Sequence, residues 1–264
     1  MSISFRHILF ISALLGGQLQ ALTQPAAAQE NHRDRLYLLS HEFVYLVTAD
    51  VYGKNVSVAL VKDGQTHFTA WVPDSNINTI YATALQTDPG SHWITSRYAV
   101  EPWRNAADQQ LLKTIFSKEL GLPENAIQVG GMTKKILVRN TGKCIEVKPL
   151  AENAGIAWLQ SPEAAPAGQP AGQPITLLSH SAVYLYGFLP RDLGDTAIAP
   201  AMIPLDVLGQ TPDGISFDSK PPLPEGAPVF NDKGTLLGIY SGAQRTGADT
   251  HSVFFPLTNV NLQP

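Results

Sequence analysis

The sequence contains a single cysteine, Cys144, among its 264 residues. One thiol cannot form a disulfide within the chain, so the fold must be held by its core and its hydrogen bonds. Because an unpaired cysteine is among the residue types most often buried, we expect Cys144 to be a buried thiol in a strand.

Charged residues are also scarce. They make up 15% of the chain, and the formal net charge is −4 at pH 7. Binding to nucleic acid or to an anionic lipid surface depends on a local excess of lysine and arginine. The composition therefore predicts neither kind of partner.

Long hydrophobic runs are nearly absent. The one candidate lies close to the N-terminus, from Ile8 to Leu15, and it is too short to span a membrane. It follows Arg6 and precedes the small residues at 26–28, an arrangement typical of a cleaved signal peptide. We expect cleavage after Ala28, so that 1–28 is a signal peptide and the mature protein is periplasmic or secreted, with no membrane span.

Clusters of metal ligands are missing from the sequence as well. Beyond residue 28, no two histidines have a spacing such as His-x-x-x-His. These histidines are His32, His41, His67, His92, His180 and His251. We therefore predict no metal and no cofactor. His92 is interpreted as a histidine at the surface or at the edge of the core rather than as a catalytic group.

What the sequence does have is 44% apolar residues, 21 glycines and 20 prolines, which is typical of many short strands joined by turns. One helix interrupts this pattern, because apolar residues recur at helical spacing over 105–120 and Gly121 and Pro123 follow. The segment 161–174 is rich in Pro, Ala, Gly and Gln without periodicity and is interpreted as a linker.

Two hairpins stand out. The first predicted pair of strands is Ala82–Thr87 and His92–Thr95, separated by a turn at 88–90. The second follows the proline-rich loop 222–228, with short strands at Val229–Phe230 and Leu236–Tyr240.

These blocks resemble the trypsin-like (chymotrypsin-fold) serine proteases, in particular their exported bacterial branch. Pro228, Val229 and Phe230 stand where the family has the residues after its nucleophile, and Ser241 stands on its substrate-pairing strand. The resemblance implies an all-β fold of two six-stranded antiparallel β-barrels, at 29–160 and 175–264, with an inserted helix near 105–120.

The three catalytic positions of this family are all substituted. Its nucleophilic serine falls on Glu225, its histidine on Tyr98 and its aspartate on Gly155. A carboxylate repels a developing oxyanion, a phenol with an ordinary pKa near 10 is a poor base, and glycine has no side chain. The oxyanion loop contains Leu223-Pro224, and proline supplies no N–H. The resemblance therefore implies an inactive homologue, a pseudoprotease.

A binding function is the hypothesis for such a protein. The strand formed by Tyr240, Ser241, Gly242 and Ala243 matches the family's substrate-pairing strand, so a protein or an extended peptide could add to it by backbone pairing. The alternative for this strand is an ordinary covered hairpin. Glu225 could select a basic ligand, but a salt bridge to Arg97 or to another local cation is favoured.

Two further interpretations stay open. In the first, the protein is an active hydrolase that uses other residues around Glu225, as nucleophile or base. In the second, it is an unrelated all-β secreted binding protein, in which Tyr98, Gly155 and Glu225 would lie far apart. The oligomeric state is not predicted.

Overall fold

The structure is a computed structural model that describes residues 32–51, 54–62, 66–70, 77–88, 91–152, 155–164, 175–189, 200–211, 214–246, 249–257 and 260–263. The predicted signal peptide at 1–28 and most of the predicted linker at 161–174 lie outside these residues.

The N-terminal half forms a nine-stranded antiparallel sheet. Its strands are β1 (Leu36–Val51), β2 (Lys54–Lys62), β3 (Thr66–Ala70), β4 (Asn78–Asp88), β5 (His92–Ser96), β6 (Ile127–Asn140), β7 (Lys143–Glu146), β8 (Lys148–Glu152) and β9 (Ile156–Gln160). The long β1 pairs with β6 along one side, and with β4 and then β2 along the other.

Seven of these strands are linked in a ring, in which β7 and β8 together occupy one position. The pairings run from β1 through β4, β5 and β9 to β8, while β7 pairs with β6 and β6 returns to β1. Only Val147 separates β7 from β8, and its N–H donates to the carbonyl of Ile136 on β6. Because β7 and β8 thus act as one bent strand, the sheet curls into a barrel, with β2 and β3 as an added hairpin.

Helical segments lie between β5 and β6. They are the short α1 (Arg97–Val100), the longer α2 (Ala106–Leu120) and two 3₁₀ turns at Pro102–Arg104 and Glu124–Ala126. Leu112 and Phe116 of α2 are buried against the N-terminal sheet, next to Phe43 and Ile127 among others. The helix predicted near 105–120 is confirmed.

The C-terminal half is a closed barrel of six strands in the order β11-β12-β13-β16-β15-β14. Their bounds are β11 (Ala182–Gly187), β12 (Ala201–Thr211), β13 (Gly214–Phe217), β14 (Pro228–Phe230), β15 (Leu236–Thr246) and β16 (Asp249–Pro256). Outside the barrel, β10 (Ile175–Leu178) and β17 (Val260–Gln263) form a parallel pair.

Each barrel has its own apolar interior, and a third cluster joins the two. The joining cluster contains Leu36 and Ile94 from the N-terminal barrel and Tyr186, Phe230 and Ile239 from the C-terminal barrel, all of them at most 1% exposed. Burial of this apolar surface is the main force that holds the barrels together. The predicted all-β fold of two barrels is confirmed.

The prediction that Cys144 is a buried thiol is wrong, because the thiol is exposed. It lies on β7, where Lys143 and Glu146 are exposed as well, so this short strand is largely open to solvent. A lone cysteine has a statistical preference for burial, but here the position in the barrel decides.

Candidate functional site

The loop before β14 passes through the junction of the two barrels. The backbone carbonyl of Glu225 accepts a hydrogen bond of 2.8 Å from the N–H of Thr83 on β4, in the other barrel. The next residue, Gly226, donates its N–H to the carbonyl of Tyr240 on β15, at 2.9 Å. The backbone of these two residues therefore connects the barrels.

Gly226 is required at this point for two reasons. Its φ of +84° lies in the region that favours glycine. A Cβ atom there would also overlap the carbonyl oxygen of Thr83 and the hydroxyl of Thr95. That hydroxyl donates to the Thr83 carbonyl at 2.7 Å, so the surface facing Gly226 is fixed. The absence of a side chain lets the loop lie directly on the N-terminal barrel.

The carboxyl group of Glu225 is held by a serine that the sequence did not single out. Ser96 Oγ, at the end of β5, donates a hydrogen bond of 2.7 Å to Glu225 Oε2. The same Oγ lies 3.3 Å from Ser241 Oγ on β15. Ser96 and Ser241 are both fully buried. One carboxyl and two hydroxyls, contributed by both barrels, thus form a continuous polar cluster.

Burial dominates the electrostatics of this cluster. It raises the pKa of Glu225 to about 7, since a carboxylate loses hydration among protein atoms, while the bond from Ser96 acts in the opposite direction. Glu225 is half-buried, and its Oε1 packs against Gly242. Near neutral pH both the neutral and the ionised carboxyl are therefore populated.

The side chain of Glu225 also lies directly against the predicted peptide-binding strand. A Cβ atom at Gly242 would overlap Glu225 Oε1, and Gly242 has a φ of +62°. The pairing of β15 with β16 shifts register between Tyr240 and Ala243, so the strand is irregular at this point. The glycine makes room for the carboxyl group.

Tyr98 is the second residue of the short helix α1, beside the same cluster. Its N–H donates to Ser96 Oγ at 3.2 Å, and Ser96 is the N-cap of α1. The hydroxyl that bonds Glu225 is therefore the one that caps the helix bearing Tyr98.

Gly155 lies on the other side of this segment. Its carbonyl accepts the N–H of Arg97 at 2.9 Å. A Cβ atom at Gly155 would overlap the ring of Phe255, which comes from β16 of the C-terminal barrel. The space for any side chain at this position is thus filled by an aromatic ring.

The three positions are linked through only two residues, Ser96 and Arg97. Ser96 contacts Glu225 and Tyr98, and Arg97 contacts Gly155. This proximity is what the resemblance implies, and an unrelated all-β fold predicts the opposite. Neither Ser96 nor Phe255 was found from the sequence. The one local signal was a serine placed where it could cap the segment before Tyr98.

Arg97 does not form the expected salt bridge to Glu225. Its guanidinium binds Glu101 at 2.8 Å and Glu152 at 3.2 Å, and Arg104 binds Glu101 at 2.6 Å. Within the described ranges, no cation pairs with Glu225. The expectation of an Arg97 partner is therefore wrong, because helical spacing brings Glu101 within reach of Arg97 first.

The two acids of this surface cluster titrate in opposite directions. Burial acts to raise the pKa of Glu101, but hydrogen bonds from Arg97, Glu152 and Arg104 lower it overall. Burial and the hydrogen bond with Glu101 raise the pKa of Glu152. Of the two carboxyl groups, Glu101 therefore ionises first as the pH rises.

The strand Tyr240–Ala243 is only partly available. Tyr240 and Ser241 are buried, and β16 pairs along one side of the strand. β14 ends its pairing at Ile239, and helix α2 lies close to β15. The side chain of Ala243 is outside the described part of the structure.

His92 lies at the edge of the core, 8% exposed. Its Nδ1 pairs with Asp88 Oδ2 at 2.9 Å, and Asp88 also accepts a hydrogen bond of 2.8 Å from Ser91. This arrangement fixes the turn between β4 and β5. Over the described ranges, no group of three metal-ligating side chains comes together.

The described helices include none that has the length and apolar character to cross a membrane. No protein-family model matches the chain, and no curated protein matches it. Among solved structures, the crystal structure of Deg5 aligns with a TM-score of 0.44 and 10% identity over 90% of each chain. An inactive serine-to-alanine mutant of Rv3671c from M. tuberculosis H37Rv aligns with a TM-score of 0.41 and 12% identity, over 86% of this chain and 84% of that one.

Proposed function

We propose that this chain is an exported pseudoprotease of the chymotrypsin fold, which lacks the Ser-His-Asp triad and acts by binding a protein or an extended peptide. The observation that carries the inactivity is the Phe255 ring in the space of a side chain at Gly155. An orienting carboxylate at this position would require the Phe255 ring to move. This packing supports the loss of the triad independently of the three substitutions.

The nucleophile loop supports the same conclusion. Glu225 is bound by a buried hydroxyl rather than by a general base, and Pro224 removes an N–H that an oxyanion hole needs. A carboxylate beside that position repels the negative charge of a tetrahedral intermediate. Both changes raise the barrier to acyl transfer.

An active hydrolase around Glu225 is the second candidate. It is favoured by one observation, the 2.7 Å bond between Ser96 Oγ and a carboxyl with a pKa of about 7, which is the geometry of a hydroxyl and its general base. Ser96 is 0% exposed, however, so no acyl donor reaches its oxygen. Glu225 is better placed to join the barrels than to attack a substrate.

The proposal also includes export of the protein and binding of a peptide along β15. The signal peptide at 1–28 would deliver the protein to the periplasm or the exterior. Tyr240, Ser241 and Gly242 are buried, so a partner peptide that pairs with β15 at Gly242 requires this strand to become accessible. The peptide would then lie against the carboxyl of Glu225, since that carboxyl packs on the same glycine. This contact favours a peptide with a hydroxyl, amide or amine group at that point.

Hydrolysis assays test the inactivity. The mature protein is incubated with casein and with peptide esters, next to its E225Q and S96A variants. We expect no turnover by any of the three. If the wild-type protein showed turnover that both variants lose, it would be a hydrolase that uses Ser96 and Glu225, and the proposed inactivity would be wrong. If all three proteins showed turnover, the catalytic site would lie elsewhere in the chain.

A peptide array tests the binding function. The mature protein is applied to extended peptides that vary one position between basic, hydroxyl, apolar and acidic side chains. We expect selective retention, weakest for acidic side chains because they would face Glu225. If every peptide were retained equally, or if no peptide were retained, the proposal that the β15 strand binds peptides would be wrong.

A further inference from the structure

We infer that the Glu225 carboxyl is a proton-controlled latch between the two barrels: it holds the junction closed when it is neutral and loosens it when it is ionised. The inference concerns the regulation of the fold itself. It does not depend on whether the protein binds peptides.

The latch is built from contacts that cross the junction. The loop bearing Glu225 belongs to the C-terminal barrel, yet its side chain is bonded by Ser96 and its carbonyl by Thr83, both in the N-terminal barrel. Gly226 lies on Thr83 and Thr95 with no room for a side chain. The loop cannot separate from the N-terminal barrel without breaking these contacts together.

The neutral carboxyl suits this site better than the carboxylate. The hydrogen-bonding groups around it are the hydroxyls of Ser96 and Ser241, which carry no charge. A neutral carboxyl can both accept from and donate to such a pair, whereas a carboxylate only accepts. An ionised carboxyl that is partly withdrawn from water and has no cation beside it is costly, and opening the junction returns it fully to water.

The neighbouring ionisable groups do not replace this control. Of the elements around Glu225, α1 carries Arg97 and Tyr98, and β15 carries Tyr240, while the side chain of Arg245 lies outside the described residues. β4 and β5 contribute Tyr81, Asp88 and His92, of which Asp88 and His92 pair with each other at the turn between these strands. Phenols and guanidiniums ordinarily titrate far above neutral pH, and burial raises the pKa of Tyr240 to about 12.

The charged and titratable groups farther from Glu225 also keep a fixed charge near neutral pH. Arg97 is neutralised by Glu101 and Glu152. His41, bonded to the carbonyl of Ala99, has its pKa lowered by burial to about 4 and so stays neutral. His32 also lies at the junction, stacked on Phe230 and bonded to the carbonyl of Gly234, and burial lowers its pKa. Within the cluster of Glu225, Ser96 and Ser241, Glu225 is the group that changes charge near pH 7, and the E225Q variant separates its effect from that of His32.

The size of the effect follows from linkage. A carboxyl with a pKa near 7 in the closed state and near 4.5 in the open state favours opening increasingly as the pH rises. Between pH 5.5 and pH 8.0 the equilibrium constant for opening should increase by about 30-fold, since the closed state resists ionisation until about pH 7.

Amide hydrogen exchange of the mature protein measures this opening. The exchange rate of the Thr83 amide, which bonds the Glu225 carbonyl across the junction, is compared at pH 5.5 and pH 8.0, after correction for the intrinsic pH dependence of exchange. We expect protection to fall by about 30-fold in the wild-type protein. In E225Q, whose amide is always neutral, protection should change less than about threefold.

Two further measurements keep the test decisive. E119Q makes the same chemical change on the exposed surface of α2 and should behave as wild type. If E225Q does not fold, the wild-type amide signals of Thr83 and Tyr98 are followed by NMR from pH 5 to pH 9, where a shared midpoint near pH 7 is expected. Equal protection losses in wild type and E225Q, or no midpoint between pH 6 and pH 8, would overturn the latch.

Discussion

Two groups of acids lie on either side of the segment Ser96–Arg97, and they are stabilised in opposite ways. On one side, the single carboxyl of Glu225 is bonded by a hydroxyl, and burial raises its pKa to about 7. On the other, Glu101 is bonded by the guanidinium groups of Arg97 and Arg104, and its pKa is lowered. Adjacent residues of one segment thus supply a neutral donor to the first acid and a charged donor to the second.

The difference shows how the identity of the donor, rather than burial alone, sets the charge of an acid. Both sites are partly withdrawn from water, but only the surface cluster offers cations. The first acid is therefore stabilising when protonated and the second when ionised. Four changes would break or sharpen this comparison.

Introducing an acid at Gly155 should have the largest effect. In G155D the new side chain would overlap the Phe255 ring and bring a carboxylate into this buried position. We expect a loss of at least about 3 kcal/mol in the free energy of unfolding, from overpacking and from a buried charge. Urea denaturation measures it.

The matched control for this change is G209A, because a Cβ at Gly209 would meet nothing within 4 Å. It should alter the free energy of unfolding by less than about 1 kcal/mol. An equally small loss in G155D would mean that the space at Gly155 is open, and the argument from packing would then be lost.

Removing the ionisation of Glu225 should have the next largest effect. Its folded pKa is raised above the ordinary value of 4.5 to about 7, so its contribution to stability is present below pH 4.5 and is lost as the pH rises through 7. We expect wild type to lose about 3 kcal/mol relative to E225Q over that range. Urea midpoints at pH 5 and pH 8 measure the difference, and a constant difference would contradict the raised pKa.

Breaking the surface cluster should have a smaller effect on the free energy of unfolding, and this effect should depend on pH in the opposite direction. R97A removes a donor from Glu101 and Glu152 and should cost about 1 kcal/mol at pH 7. The lowered pKa of Glu101 stabilises the fold above the ordinary carboxyl pKa and is lost on acidification, so the cost should shrink toward pH 4.

R104A is the control for this variant, since the Arg104 side chain is 51% exposed and its loss should matter less. Thermal unfolding at pH 7 and pH 4 compares the two. A larger effect of R104A, or a cost of R97A that grows on acidification, would reverse the assignment of the cluster.

Changing Cys144 should have the smallest effect. The exposed thiol should react fully with a maleimide in the folded protein, and C144S should shift the free energy of unfolding by less than about 0.5 kcal/mol. Labelling that requires denaturant would restore the buried thiol that the sequence suggested.

The sequence predicts the parts of the fold that depend on short-range pattern. Helix α2 ends where Gly121 and Pro123 end it, and the β4–β5 and β14–β15 hairpins form around turn residues. The resemblance also places Glu225 and Tyr98 beside one another. These features are encoded in neighbouring residues or in a pattern of blocks.

The partners of side chains depend on non-local packing and could not be read in this way. Nothing near Glu225 in the sequence indicates Ser96, and nothing near Gly155 indicates Phe255, because these contacts join different barrels. Arg97 has a partner four residues away, which the favoured salt bridge to Glu225 overlooked. The length of β1 was also missed, since its first half is stabilised by β4 and β6 rather than by a local hairpin.

The central place of β1 has a consequence for how the chain folds. Its pairing with β6 joins residues up to about 100 positions apart, such as Leu38 and Arg139, while its local hairpin with β2 covers only the second half. Non-local pairing makes folding slow, so Leu38 and Leu39 would keep an unpaired edge until β6 is in place. During this interval the hydrophobic edge of β1 is open to other chains, so aggregation would compete with folding.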